Sequence, residues 1–253
     1  MRLLLPDNIY FRALVSVLPQ EKGITAGFLP SASIISAITS GEADVAFLPS
    51  LYLTNDESLR ISSKIGLSFE GLGSTSYLVL HEVPEEGRPD ISITGDHSAQ
   101  EALMAKMLMN ELYTIEPKFH IKTPEDALHD KNIILAGDLA FISGKYREAL
   151  SFAEEVVEMG DLPYLNFVLC AKDSGKGKQA EKIILEAVDK FYDALEGEEL
   201  FGLDPESRQF VRENMQNTIL DIDEADLEGL NNLLRMLFYE GLADDIRELK
   251  FFE

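Results

Sequence analysis

The sequence predicts an α/β protein of two lobes, with a cleft between them and a helical C-terminal segment. Three observations carry that prediction. Short apolar runs alternate with helical patterns through the first two thirds of the chain, as strands joined by crossover helices do in largely parallel sheets. A stretch rich in Ser, Gly and aromatic residues at 61–82 breaks the alternation, and a second set of strands follows it. Beyond residue 178 the apolar residues recur at helical spacing. A chain of 253 residues can bury one large core or two smaller ones, and the break at 61–82 favours two.

Taken in order, "RLLL" (2–5) reads as a strand and 8–18 as a helix. "ITAGFL" (24–29) is a second strand, closed by Pro30 and followed by the helix start "SASIISAI". "ADVAFL" (43–48) is a third, closed by Pro49. The stretch 61–82 reads as two extended segments separated by the loop around Gly71 and Gly73. "DISIT" (90–94), "KFHIK" (118–122) and "NIILAG" (132–137) are strands of a second unit, separated by a helix after Ser98 and a short one opened by "TPED". Thr123 at the N-cap with Pro124 behind it is a strong helix start. "PYLNFVLCAK" (163–172) is a further strand, and everything beyond "DSGKGK" reads as helix. The expected division is a first lobe of 1–80 plus 165–253 and an inserted second lobe of 81–164, with the two strand crossings as a hinge.

Composition narrows the function. Forty-five acidic against 22 basic residues give a net charge of −23, which repels nucleic acid and anionic membranes over most of the surface. A small anionic carboxylate remains an acceptable ligand, because backbone N–H groups and hydroxyls make a locally positive cleft inside an acidic shell. No apolar run approaches the roughly 20 residues needed to span a bilayer. No basic stretch with an apolar one behind it opens the chain, as expected of a cytoplasmic protein; export would require a leader. A monomer or homodimer is expected. The single cysteine, Cys170, lies in an apolar run and reads as a buried small residue. His81, His120 and His129 lack metal-ligand spacing, so no metal is expected. The motifs of acyl transfer, nucleotide hydrolysis and dinucleotide binding are missing, and no cofactor is expected.

Ligands of open α/β sheets bind beyond the carboxyl ends of the strands, where loops turn into helices. Here those stretches are small and polar. Asn8 follows the first strand, Ser31 the second and Ser50 the third; Ser74 and Ser76 lie at the crossover, and Ser98 opens a helix of the second lobe. These six are the candidate substrate-binding residues, suited to a carboxylate or polyol held by neutral hydrogen bonds. Each has a plain structural reading as well: Asn8, Ser31 and Ser98 as helix caps, Ser74 and Ser76 as a solvated strand face. In "GDHSAQEAL" the Ser98/Glu101 spacing reads as a capping box, and the same helix start can also serve as an anion site. His97 and Asp138 are the candidates for proton transfer, with His97 equally readable as an exposed loop histidine.

Several segments, in order, resemble the enzymes of the futalosine route to menaquinone, chiefly chorismate dehydratase. They are "GEADVAFLPSLY" (41–52), "GLGSTSYLVL" (71–80), "ISITGDHSAQEAL" (91–103), "IILAGDLAF" (133–141) and "GLNNLLRMLFYEGLADDIRELKFFE" (229–253). The resemblance implies a type 2 periplasmic-binding-protein fold and cofactor-free loss of water from chorismate, giving 3-[(1-carboxyvinyl)oxy]benzoate. It also implies that Asn8 and Ser76 contact substrate and that Ser98 helps hold a carboxylate. The opening "LLPDNIYF" and the junction "DHSA" depart from the family's usual residues. A solute-binding protein of the same fold is the alternative reading.

Overall fold

The computed structural model describes residues 1–19, 22–54, 56–81, 88–197, 202–246 and 248–253. The first strands and helices are β1 (Arg2–Pro6), α1 (Ile9–Val17), β2 (Thr25–Leu29), α2 (Ser31–Ser40), β3 (Val45–Pro49) and, after a 3-10 turn at Ser50–Thr54, β4 (Arg60–Phe69). Then come β5 (Ser76–Leu80), β6 (Asp90–Gly95), α3 (Ala99–Tyr113), β7 (Lys118–Ile121), α4 (Pro124–Ala127), β8 (Asn132–Ala136), α5 (Leu139–Ser143), β9 (Leu150–Ser151) and α6 (Phe152–Gly160). The chain closes with β10 (Tyr164–Ala171), α7 (Ser174–Leu185), α8 (Val188–Glu196), α9 (Pro205–Glu213), β11 (Thr218–Asp221) and α10 (Glu224–Tyr239).

The strands form two sheets, ordered β11-β4-β10-β3-β1-β2 and β7-β6-β8-β5-β9. Each is built alike. Three parallel strands (β2-β1-β3 and β7-β6-β8) are joined on one side by an antiparallel strand arriving from the other sheet, β10 in the first and β5 in the second. The chain crosses between the sheets twice, from β4 to β5 and from α6 to β10. The buried runs Val45–Pro49 and Tyr164–Ala171 are covered on both faces, which is why they read as continuous apolar runs.

The local start signals act as written. Asn8 accepts from the Phe11 amide, Ser98 and Glu101 form a reciprocal capping box, and Thr123 caps α4 with Pro124 behind it. Cys170 is buried among apolar neighbours, and that burial pushes its thiol up to about 12.

Four expectations are corrected. The strand 76–80, expected to end the first lobe, pairs antiparallel with β8 from Ser76↔Ala136 to Leu80↔Asn132 and belongs to the second sheet. The C-terminal third is not all helix, because "TILD" is β11, pairing with β4 at the edge of the first sheet. The helical spacing read over 178–197 spans two helices, broken between Leu185 and Val188. Residues beyond 165 do not pack on the first lobe alone: Phe210 of α9 stacks on Tyr146 with ring centroids 4.5 Å apart. Ser207 Oγ also donates to the Phe141 carbonyl at 2.9 Å, so α9 packs on α5 and the turn at Tyr146 of the second lobe.

Candidate functional site

The carboxyl ends of the two parallel triplets meet along a polar seam. On the first-lobe side, β1, β2 and β3 each end in proline, at Pro6, Pro30 and Pro49, and each leads at once into a helical start. Proline fixes the backbone but brings no side-chain acceptor, so the first N–H groups beyond it are left for another partner. At α2 this is explicit, since Pro30 is the N-cap and makes no side-chain cap bond.

The second lobe supplies those partners. β6 and β8, adjacent and parallel, both end in Gly-Asp, Gly95-Asp96 and Gly137-Asp138. Both glycines have positive φ, +90° and +66°. A Cβ on Gly95 would stand 2.0 Å from the Ala136 carbonyl oxygen, so only glycine permits this turn. The turns aim both carboxylates across the seam. Asp138 accepts from the Ile9 amide at 2.8 Å and from Arg12 Nη2 at 2.6 Å, at the start of α1. Asp96 accepts from the Ser31 amide and the Ser31 hydroxyl, both at 2.8 Å, at the start of α2. Asp138 stands at the N-cap of α5 yet makes no bond there, its side chain serving the opposite lobe instead.

A third contact lies nearer the crossings. Gln100 Oε1 accepts from the Leu51 amide at 3.0 Å and from Ser50 Oγ at 3.3 Å. Its Nε2 donates to Asn166 Oδ1 at 2.6 Å and to Tyr164 Oη at 3.1 Å, and Asn166 Nδ2 donates to Thr75 Oγ1 at 2.5 Å. Thr75 and Asn166 belong to the two crossings, so this buried amide network ties both passages of the chain to α3 and to the first lobe. The start of α3 is filled from within: Glu101 accepts from the Ser98 amide at 2.7 Å, the Ser98 hydroxyl at 2.9 Å and the Ser76 hydroxyl at 3.1 Å.

The eight candidates from the sequence therefore all lie at or beside the seam, and each makes a bond within the protein. Asn8, Ser31, Ser50, Ser74, Ser76, Ser98 and Asp138 are buried. Ser74 Oγ accepts from the Ser76 amide within the crossover. His97 is half-buried, with Nδ1 3.0 Å from the Gly95 carbonyl. A carbonyl only accepts, so Nδ1 is the donor in this contact. Sequence reasoning missed Arg12, Asp96, Gln100 and Asn166 and read Glu101 only as a cap. The repeated Gly-Asp at two strand ends was the available signal for Asp96.

Burial holds the seam acids above the ordinary carboxylate range. This is so for Asp138 despite Arg12 and the Ile9 amide, for Asp96 despite Ser31, and for Glu101 despite three donors. Arg12 also bonds Asp7 at 2.7 Å. Beside the seam, a pocket of about 250 Å³ opens between Leu51 and Tyr52, the first turn of α3 at Gln100 and Leu103, and the segment at Leu242 and Ala243. Among the described residues no group of acidic, histidine or cysteine side chains is arranged to hold a metal, and no helix is long and apolar enough to cross a membrane.

Two similar lobes, each with three parallel strands and one returning strand, facing each other across a polar seam, define the class. This is the type 2 periplasmic-binding-protein fold, as the sequence resemblance implies. Protein AF1704 from Archaeoglobus fulgidus superposes with a TM-score of 0.64 at 14% identity, covering 95% of this chain and 97% of its own. The periplasmic aliphatic sulphonate binding protein SsuA from Escherichia coli gives 0.65 at 10% identity over 97% and 94%. The Candida albicans CA3427 gene product, described as exhibiting the generic periplasmic binding protein structural fold, gives 0.61 at 10% identity over 97% and 91%. No family model and no curated protein sequence matches the chain.

Proposed function

We propose that the protein is a cofactor-free lyase of the chorismate dehydratase type, acting on chorismate or a close relative in the seam between the lobes. We place the first lobe at 1–75 and 164–253 and the second at 76–163. The observation that carries the reading is the convergence of helix starts and small hydroxyls on one seam, with N–H donors that already hold carboxylate oxygens. Such a set binds a carboxylate strongly once water is excluded.

In this reading Asn8, Ser76 and Ser98 orient the carboxylate and hydroxyl groups of the substrate, with Ser31, Ser50 and Ser74 around them. Departure of the ring hydroxyl needs a proton delivered to it and a ring proton taken away, and aromatisation supplies the driving force. Asp138, which burial holds above the ordinary carboxylate range, and His97 beside it at the seam are the groups for these proton transfers. The second reading is a binding protein for a small carboxylate. It is favoured by Ser76 and Ser98, whose hydroxyls are spent on Glu101, and by the sulphonate-binding neighbour.

The experiment is to incubate the purified protein with chorismate, without metal or nucleotide, and follow products by mass. Loss of one water faster than in a protein-free control supports the lyase, and Asp138→Asn should then slow turnover by about 100-fold. Saturable binding without turnover supports the second reading.

A further inference from the structure

We infer that Asp96 and Asp138 form a latch that holds the lobes shut without ligand, seated on the two helix starts that an incoming carboxylate needs. The inference rests on the seam being the ligand site and adds its regulation: the protein's own carboxylates compete with the ligand.

Three features support it. First, both contacts join the lobes and both use α1 or α2 of the first lobe as donor, through Ile9 and Ser31. A side chain of the second lobe thus does what a bound carboxylate would do. Second, the three seam contacts follow the order of the sheets. Gln100 meets the turn after β3, next to β10; Asp138 meets α1 after β1; Asp96 meets α2 after β2, the edge strand. The Gln100–Asn166–Thr75 network and the α9 contacts with Tyr146 lie on the side of the crossings, where a pivot belongs. The Asp96–Ser31 pair lies farthest from that side, so opening parts it most. Third, α2 has no side-chain cap of its own, so its first amides need Asp96 or a substitute for it. Burial disfavours both carboxylates in their ionised forms, which makes the latch releasable rather than permanent.

The latch predicts a ligand cost. Any carboxylate that closes the lobes must first expel Asp96 and Asp138, so apparent affinity is reduced by the fraction of molecules already released.

The test uses the full chain, small-angle X-ray scattering and acetate as the probe. Wild type should show the distance distribution of closed lobes, unchanged by acetate. Asp96→Ala/Asp138→Ala should keep its far-UV circular dichroism and shift to longer distances, and acetate should shift it back by filling the vacated helix starts. A double variant as compact as wild type overturns the latch, and one that opens but ignores acetate overturns the claim that a ligand carboxylate takes the same seats. Should the double variant not fold, Asp96→Asn keeps the volume and one accepting oxygen while removing the charge. It should give a smaller shift in the same direction, and no shift overturns the proposal. Chorismate is not used, so these outcomes are independent of whether the lyase reading stands.

Discussion

The two lobes share a strand pattern and differ in how the parallel strands end. In the first lobe proline closes them and helix starts follow, whose amides at Ile9 and Ser31 take their acceptors from the other lobe. In the second, β6 and β8 end in Gly-Asp, which projects acceptors. One lobe is the donor half of the seam and the other the acceptor half. A pair of like-ended lobes would face amide to amide or carboxylate to carboxylate. The difference explains how a chain of net charge −23 closes an acid-bearing seam on itself.

Breaking the acceptor half should have the largest effect. Gly95→Ala puts a methyl group 2.0 Å from the Ala136 carbonyl oxygen at a φ of +90°. The β6–β8 pairing must shift, at a cost of about 3 kcal/mol or more, read as a lower midpoint in urea unfolding. Next is the network at the crossings. Gln100→Ala removes the donor to Asn166 Oδ1 inside the buried network, and should lose about 1 to 3 kcal/mol in the same measurement.

Glu101 sharpens the comparison through pH. Its folded pKa lies above its unfolded one because it is buried. As pH rises from the ordinary carboxylate range through the folded pKa, the unfolded chain gives up the proton first, so stability falls across that window and is level on either side. Asp96, Asp138 and Asp226 are raised by burial too and act in the same direction. The urea midpoint of wild type should therefore decline as pH rises above the ordinary carboxylate range, and Glu101→Gln should decline less. Equal slopes would show that Glu101 carries none of the dependence.

The smallest effect belongs to the donor half. Asn8→Ala removes the bond to the Phe11 amide and should cost about 1 kcal/mol, with Asn8→Ser retaining most of it.

Local chemistry made much of this legible in the sequence. Proline after an apolar run, Ser98 three residues before Glu101, and Thr123-Pro124 each fix a backbone event within a few residues, and each occurs where it was expected. β11 was illegible because four residues between helices carry almost no periodicity, and only pairing with β4 makes them a strand. The stripe through Ile183, Ile184, Val188 and Phe191 runs across a break in the helix, because α7 and α8 both bury their apolar faces. At the site, the strand ends pointed to the right region, but not to what fills it. Asp138 meets Ile9 across 129 residues and Gln100 meets Asn166 across 66, and no local pattern encodes such pairs.

If a ligand carboxylate takes the helix starts now held by Asp96 and Asp138, the amides of Ile9 and Ser31 must report its arrival. The most direct measurement is to follow the backbone amide resonances of Ile9 and Ser31 while titrating wild-type protein with chorismate. The account predicts that both shift together and saturate, while the amide of Phe191, on α8 away from the seam, stays in place. Saturable binding that leaves Ile9 and Ser31 unmoved would contradict it.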